Sequence, residues 1–75
     1  MLLDVTVVSP EEVLFEGKAK SVIVPGEEGV FEIMHFHNRI LSRLLGGVVF
    51  VDDTSFRINR GAVKVNQNKV TIIIE

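Results

Sequence analysis

His35 and His37 stand two residues apart, a spacing that on an extended chain aims both imidazoles to one side, as a metal site would require. Two ligands do not complete a coordination shell, and hydrogen-bonded loop histidines explain the pair more simply. The stretch Pro25-Gly26-Glu27-Glu28-Gly29 has the glycines of a phosphate cradle. Its two carboxylates would repel a phosphate, and the lysine of a nucleotide-binding loop is missing, so it reads as a turn. Covalent or acid-base catalysis needs a nucleophile, a base and an orienting group in a dry pocket. The chain has no Cys and no Tyr, none of its serines lies in a Gly-x-Ser-x-Gly turn, and no such set can be assembled. What remains is segment 25–38, which opens on acids, continues through Phe31, Ile33, Met34 and Phe36, and ends on the two histidines. A binding loop and an ordinary hairpin with core anchors fit it equally well.

The elements that would carry this segment are strands. Thirteen valines, seven isoleucines and three threonines are β-branched, with χ1 already restricted in a way that suits a pleated sheet. Leu3, Val5 and Val7 alternate with Asp4 and Thr6, the period of a strand with one face on a core. Val13-Leu14-Phe15 forms a short piece closed by Glu16-Gly17, and a further strand runs from Lys18 to Val24 up to the Pro25-Gly26 turn. In the strand Val30 to Met34, alternation sends Phe31 and Ile33 inward as core residues. Val48 to Val51 and Phe56 to Ile58 flank Asp52-Asp53-Thr54, and Val63 and Val65 pair with Val70, Ile72 and Ile74 across Asn66-Gln67-Asn68. The expected fold is therefore all-β, a small two-sheet sandwich of short, mostly antiparallel strands forming one domain over 1–75. One segment runs against this. Over 38–46 the apolar residues Ile40, Leu41, Leu44 and Leu45 lie at i, i+1, i+4 and i+5, between a candidate cap at Asn38 and Gly46, which predicts a short helix.

Composition narrows the function classes. With 75 residues there is no room for a cleft between domains. The absence of cysteine removes disulfides and thiolate zinc sites, as expected of a reducing compartment. No apolar run approaches the roughly 20 residues of a membrane helix, and Asp4 follows Met1-Leu2-Leu3 too closely for a secretory signal. A formal charge of −2 argues against nucleic acid as a partner. The charge is polarised: residues 1–38 hold two lysines against seven acids, and residues 39–75 hold six basic residues against three acids.

The run PGEEGVFEIMHFHNRIL, followed by LLGGVV, resembles the N-terminal domain of the epsilon subunit of the F-type ATP synthase. The likeness extends to VVSPEEVLFEGKAKSVIVPG near the start and INRGAVKVNQNKVTIII near the end. The order and spacing of these pieces cover nearly the whole chain. It departs from the family pattern at Glu32, where glycine is usual, at His35-Phe36, usually Pro-Gly, and at Asn38-Arg39, usually Ala-Pro. Arg60 replaces a glycine, and Val30 stands where an acid is common.

The resemblance implies a β-sandwich, an extended path over 38–46, and a non-catalytic rotor subunit without cofactor or metal. That subunit links the gamma subunit to the c-ring and couples ion translocation to ATP synthesis. It implies attachment to the membrane only through the complex, on the cytoplasmic side. At matching positions Glu27, Glu28, Gly29, Val30, Glu32 and His37 would face the c-ring. Most members continue into a helical hairpin that inhibits hydrolysis, so a chain complete at Glu75 is expected to serve assembly and coupling without that inhibition. The competing reading is a free-standing sandwich that binds a small ligand or metal through loop 34–39.

Overall fold

The computed structural model describes residues 2–34 and 39–75. Among these residues nine strands follow one another: β1 (Leu3–Val8), β2 (Val13–Ala19), β3 (Ser21–Gly26), β4 (Gly29–Met34), β5 (Ile40–Leu44), β6 (Gly47–Val51), β7 (Thr54–Ile58), β8 (Gly61–Asn66) and β9 (Lys69–Ile74). Neighbours pair in the order β2-β1-β9-β8-β5-β3-β6-β7, with β4 on the side of β3. All pairs are antiparallel except β1 with β9.

The path folds on itself at a narrow joint. Between β5 and β3 the register comprises the single pair Gly26↔Leu44, reinforced by the Leu45 amide donating to the Pro25 carbonyl at 2.8 Å. The joint separates a five-stranded layer, β2-β1-β9-β8-β5, from a four-stranded layer of β4, β3, β6 and β7. Alternation explains why the layers face each other. Leu3, Val5, Val7, Val63, Val65, Val70 and Ile72 from one layer form a single buried cluster with Val22, Val24, Ile33, Val49 and Val51 from the other. At the far side from the joint, Phe15 of β2 and Phe56 of β7 meet edge to face, with ring centroids 6.3 Å apart, so the two ends of the path close over the core.

Two expectations are corrected. The segment predicted to be helical contains β5 over Ile40–Leu44, which pairs along its whole length with Leu44↔Gly61 to Ile40↔Val65 of β8. So short a helix would be unstable alone, and the ladder to β8 supplies what local propensity does not. The apolar doublets that mimicked a helix divide across the sheet: Leu44 is buried, whereas Leu41 and Leu45 are exposed. Nor does Glu16-Gly17 close a strand. Gly17 lies within β2 opposite Val5, and the chain turns only at Lys20, so the expected strand from Lys18 to Val24 is divided between β2 and β3.

A side chain secures that turn. The Asp52 carboxylate accepts from the Lys20 amide at 3.1 Å and the Ser21 amide at 3.1 Å, and the Asp52 amide donates to the Ser21 carbonyl at 3.0 Å. Asp52 itself has φ of 50°, a left-handed conformation that aspartate and asparagine tolerate better than most residues. Asp52→Ala should cost about 1–2 kcal/mol, and Asp52→Asn clearly less, by urea denaturation. Equal midpoints for Asp52→Ala and the parent chain would show that the clip adds nothing.

Charge on the outer face of the larger layer is partly paired. Lys18 Nζ lies 2.6 Å from Asp4 Oδ1, and this hydrogen bond with its accompanying charge attraction holds the Asp4 carboxyl below its ordinary pKa. A depressed carboxylate pKa contributes stability above its unfolded value, and the contribution fades as pH falls through the folded value. Both groups are well exposed, so solvent screening keeps it small.

Candidate functional site

The acidic segment forms a tight hairpin between β3 and β4. Gly26 pairs with Gly29, leaving Glu27 and Glu28 as its two exposed tip residues. Gly29 has φ of +124° with open space around its α-carbon, so the backbone conformation, not crowding, calls for glycine there. Gly26 is required for the opposite reason. A Cβ at that position would stand 2.6 Å from Phe31 Cε1, because the Phe31 ring lies over it. The expected turn is thus present, and the anchors lie where alternation placed them: Ile33 is fully buried, and Phe31 is partly buried against the core.

Val30 is 72% exposed beside the tip. Glu32 stands farther back on the same outer face, where it accepts a hydrogen bond from Ser21 Oγ at 2.5 Å. The structure therefore brings Glu27, Glu28, Gly29 and Val30 together at one end of the sandwich and sets Glu32 apart in mid-strand. His37 and most of loop 34–39 lie outside the described residues. Among the described residues no group of three or more metal-ligating side chains gathers.

The tip stands next to the joint between layers. Glu27 borders two open clefts. One, of about 560 Å³, is lined also by Arg43, Leu44, Arg60, Gly61 and Glu75; the other, of about 680 Å³, by Glu28, Val30, Phe31 and Ser42. Arg60 is engaged by Glu75, Nε to Oε1 at 2.8 Å, with the Glu75 amide donating to the Arg60 carbonyl at 3.0 Å. Sequence reasoning missed this Arg60–Glu75 clasp and the Asp52 clip, since both join residues well separated in the chain. The only local sign of the latter was an Asp-Asp turn.

The described residues thus present an exposed acidic hairpin on an all-strand, two-layer scaffold. The sequence matches the family described as the beta-sandwich domain of the ATP synthase delta/epsilon chain over residues 2–75, and the chain belongs to that family. Its relatives include the ATP synthase epsilon chain of a Nitratiruptor species, 38% identical over 78 residues that cover 97% of this chain and 60% of that protein. Another is the epsilon chain of Helicobacter pylori, 33% identical, covering 99% and 63%. The chain thus spans about three-fifths of the length of these relatives. Among solved structures, a chain of the Tetrahymena thermophila mitochondrial ATP synthase central stalk and c-ring superposes with a TM-score of 0.81 at 18% identity, covering 96% of this chain and 62% of that one. A chain of the Euglena gracilis mitochondrial ATP synthase OSCP/F1/c-ring structure gives 0.83 at 16%, covering 97% and 50%. These two likenesses establish the fold.

Proposed function

We propose that the chain is the β-sandwich part of an epsilon-type central-stalk subunit, which links the gamma subunit to the c-ring of a rotary ATP synthase and couples ion translocation to ATP synthesis. The observation that carries this reading is the family match over residues 2–75. In this role the domain is non-catalytic and peripheral, held on the cytoplasmic side of the membrane through its partners. Torque must pass through packed contacts, and the closed core with its joint and its Phe15–Phe56 seam suits that demand. The free-standing ligand-binding module receives no support from the family match.

The hairpin tip is the proposed contact with the c-ring. Glu27 and Glu28 would meet basic groups on the ring's polar loops, with Gly29 and Val30 packed beside them, and Glu32 and His37 farther along. Each exposed ion pair contributes about 0–1 kcal/mol, so charge orients the contact while apolar packing holds it. Glu28→Ala should keep the wild-type melting temperature and weaken binding to detergent-solubilised c-ring by up to about fivefold, the equivalent of one such pair. A wild-type chain that does not bind the c-ring would remove the ring contact from the reading.

A further inference from the structure

We propose that the cleft beside the hairpin tip, lined by Leu45 and Ile73 and edged by Arg43, takes an apolar side chain and a neighbouring carboxylate from the ring loop that meets Glu27 and Glu28; this rests on the ring contact proposed above. Register gathers the elements. Gly26 pairs with Leu44, Leu44 with Gly61, and Gly61 with Ile74. The hairpin tip, the link between β5 and β6, the turn between β7 and β8 and the end of β9 therefore lie together at one end of the sandwich. A body that reaches the tip along the strands meets that whole end.

Between these connections opens the cleft of about 560 Å³ that Glu27 borders. The backbone sets its apolar lining. The Leu45 amide donates to the Pro25 carbonyl at 2.8 Å, which ties the link to β3 and leaves the Leu45 side chain 50% exposed. Ile73 of β9, opposite Ala62 of β8, is 49% exposed and lines the same space. An aliphatic side chain entering there removes apolar surface from water on both partners, which the exposed hairpin carboxylates cannot do.

Charge identifies the occupant. Of the two arginines at the cleft, Arg60 is engaged by Glu75, whereas Arg43 makes no ion pair among the described residues. Glu27 and Glu28 call for basic groups, and Arg43 calls for a carboxylate. One polar loop that carries both signs around an apolar residue satisfies all three. A wholly basic partner would set like charge against Arg43, and a small free anion would face Glu27 and Glu75 across the same cleft.

The test is the affinity of detergent-solubilised c-ring for the wild-type chain, Leu45→Asp, Arg43→Glu, Glu28→Ala and, as a control, Leu41→Asp, each first checked for an intact fold by circular dichroism. Leu41 is 81% exposed on the same strand as Arg43 and does not border the cleft. Leu45→Asp should weaken binding about tenfold or more, as loss of an interface anchor does. Arg43→Glu should weaken it about fivefold, with the difference shrinking at high salt. Leu41→Asp should bind as the wild type. Arg43 is exposed on the outside of β5 and keeps the test decisive if Leu45→Asp does not fold. Wild-type affinity in both cleft variants, with Glu28→Ala still weakened, would overturn the proposal and leave the hairpin contact standing. Equal weakening by Leu41→Asp and Leu45→Asp would also overturn it, since the cleft would then have no special part. A wild-type chain that does not bind the ring would remove the ring contact itself, and the proposal with it. Self-association that Leu45→Asp abolishes, seen by sedimentation with ring binding unchanged, would give the cleft to a second copy and overturn the proposal.

Discussion

Ile33→Ala is expected to lower stability by about 2–5 kcal/mol, the largest effect of any single truncation in the candidate site. Ile33 is fully buried opposite Val22, itself fully buried, and β4 pairs with β3 alone among the described strands. The inward side chains of β4, Phe31 and Ile33, are thus what fasten this strand to the core. A chain of this size has roughly 4–11 kcal/mol of stability in all, so the substitution removes a large share of it. Phe31→Ala should cost less than Ile33→Ala, because Phe31 keeps part of its ring in solvent. Glu28→Ala should stay within about 0.5 kcal/mol of the parent. Urea denaturation separates these cases, and an Ile33→Ala midpoint equal to that of the parent would show that β4 is held by something other than its inward face.

Much of the fold was legible because alternation is a two-residue rule that needs no knowledge of partners. Leu3, Val5 and Val7, or Val63 and Val65 against Ile72 and Val70, announce both their strands and their inner faces. The hairpin tip was legible for a similar reason, since Pro25-Gly26-Glu27-Glu28-Gly29 can hardly be anything but a turn. Where the reading failed, the deciding interaction lay far away in sequence. Ile40 to Leu44 has a helical spacing of apolar residues, and only the ladder to β8 makes it a strand. Gly17 looks like a strand end, yet β1 on one side of it continues the pairing. The parallel pairing of β1 with β9 joins the two ends of the chain, and no local pattern can show it.

Glu32 illustrates the limit at the site itself. The resemblance grouped it with the tip, and it does share a face with Val30. Its carboxylate nevertheless lies in mid-strand beside Ser21, in register with Ile23 of β3. Spacing along one strand told which side it faces but not that Ser21 of β3 would meet it there.

The second large effect concerns the assembled machine. In the proposed role, a domain bridging gamma and the c-ring would transmit rotation only if both contacts were made at once. The buried core spanning both layers and the joint at Gly26↔Leu44 tie the tip to the rest of the body, as such a bridge would require. On that reading, gamma would turn without it while the ring slips, so ATP would be hydrolysed and few ions would move. The most direct measurement is ion pumping per ATP hydrolysed in vesicles carrying an ATP synthase depleted of its epsilon chain, with and without this chain added back. The account predicts that pumping per ATP rises sharply on addition of the wild-type chain. Pumping per ATP that is the same with and without the chain, in complexes shown to have taken it up, would contradict the account.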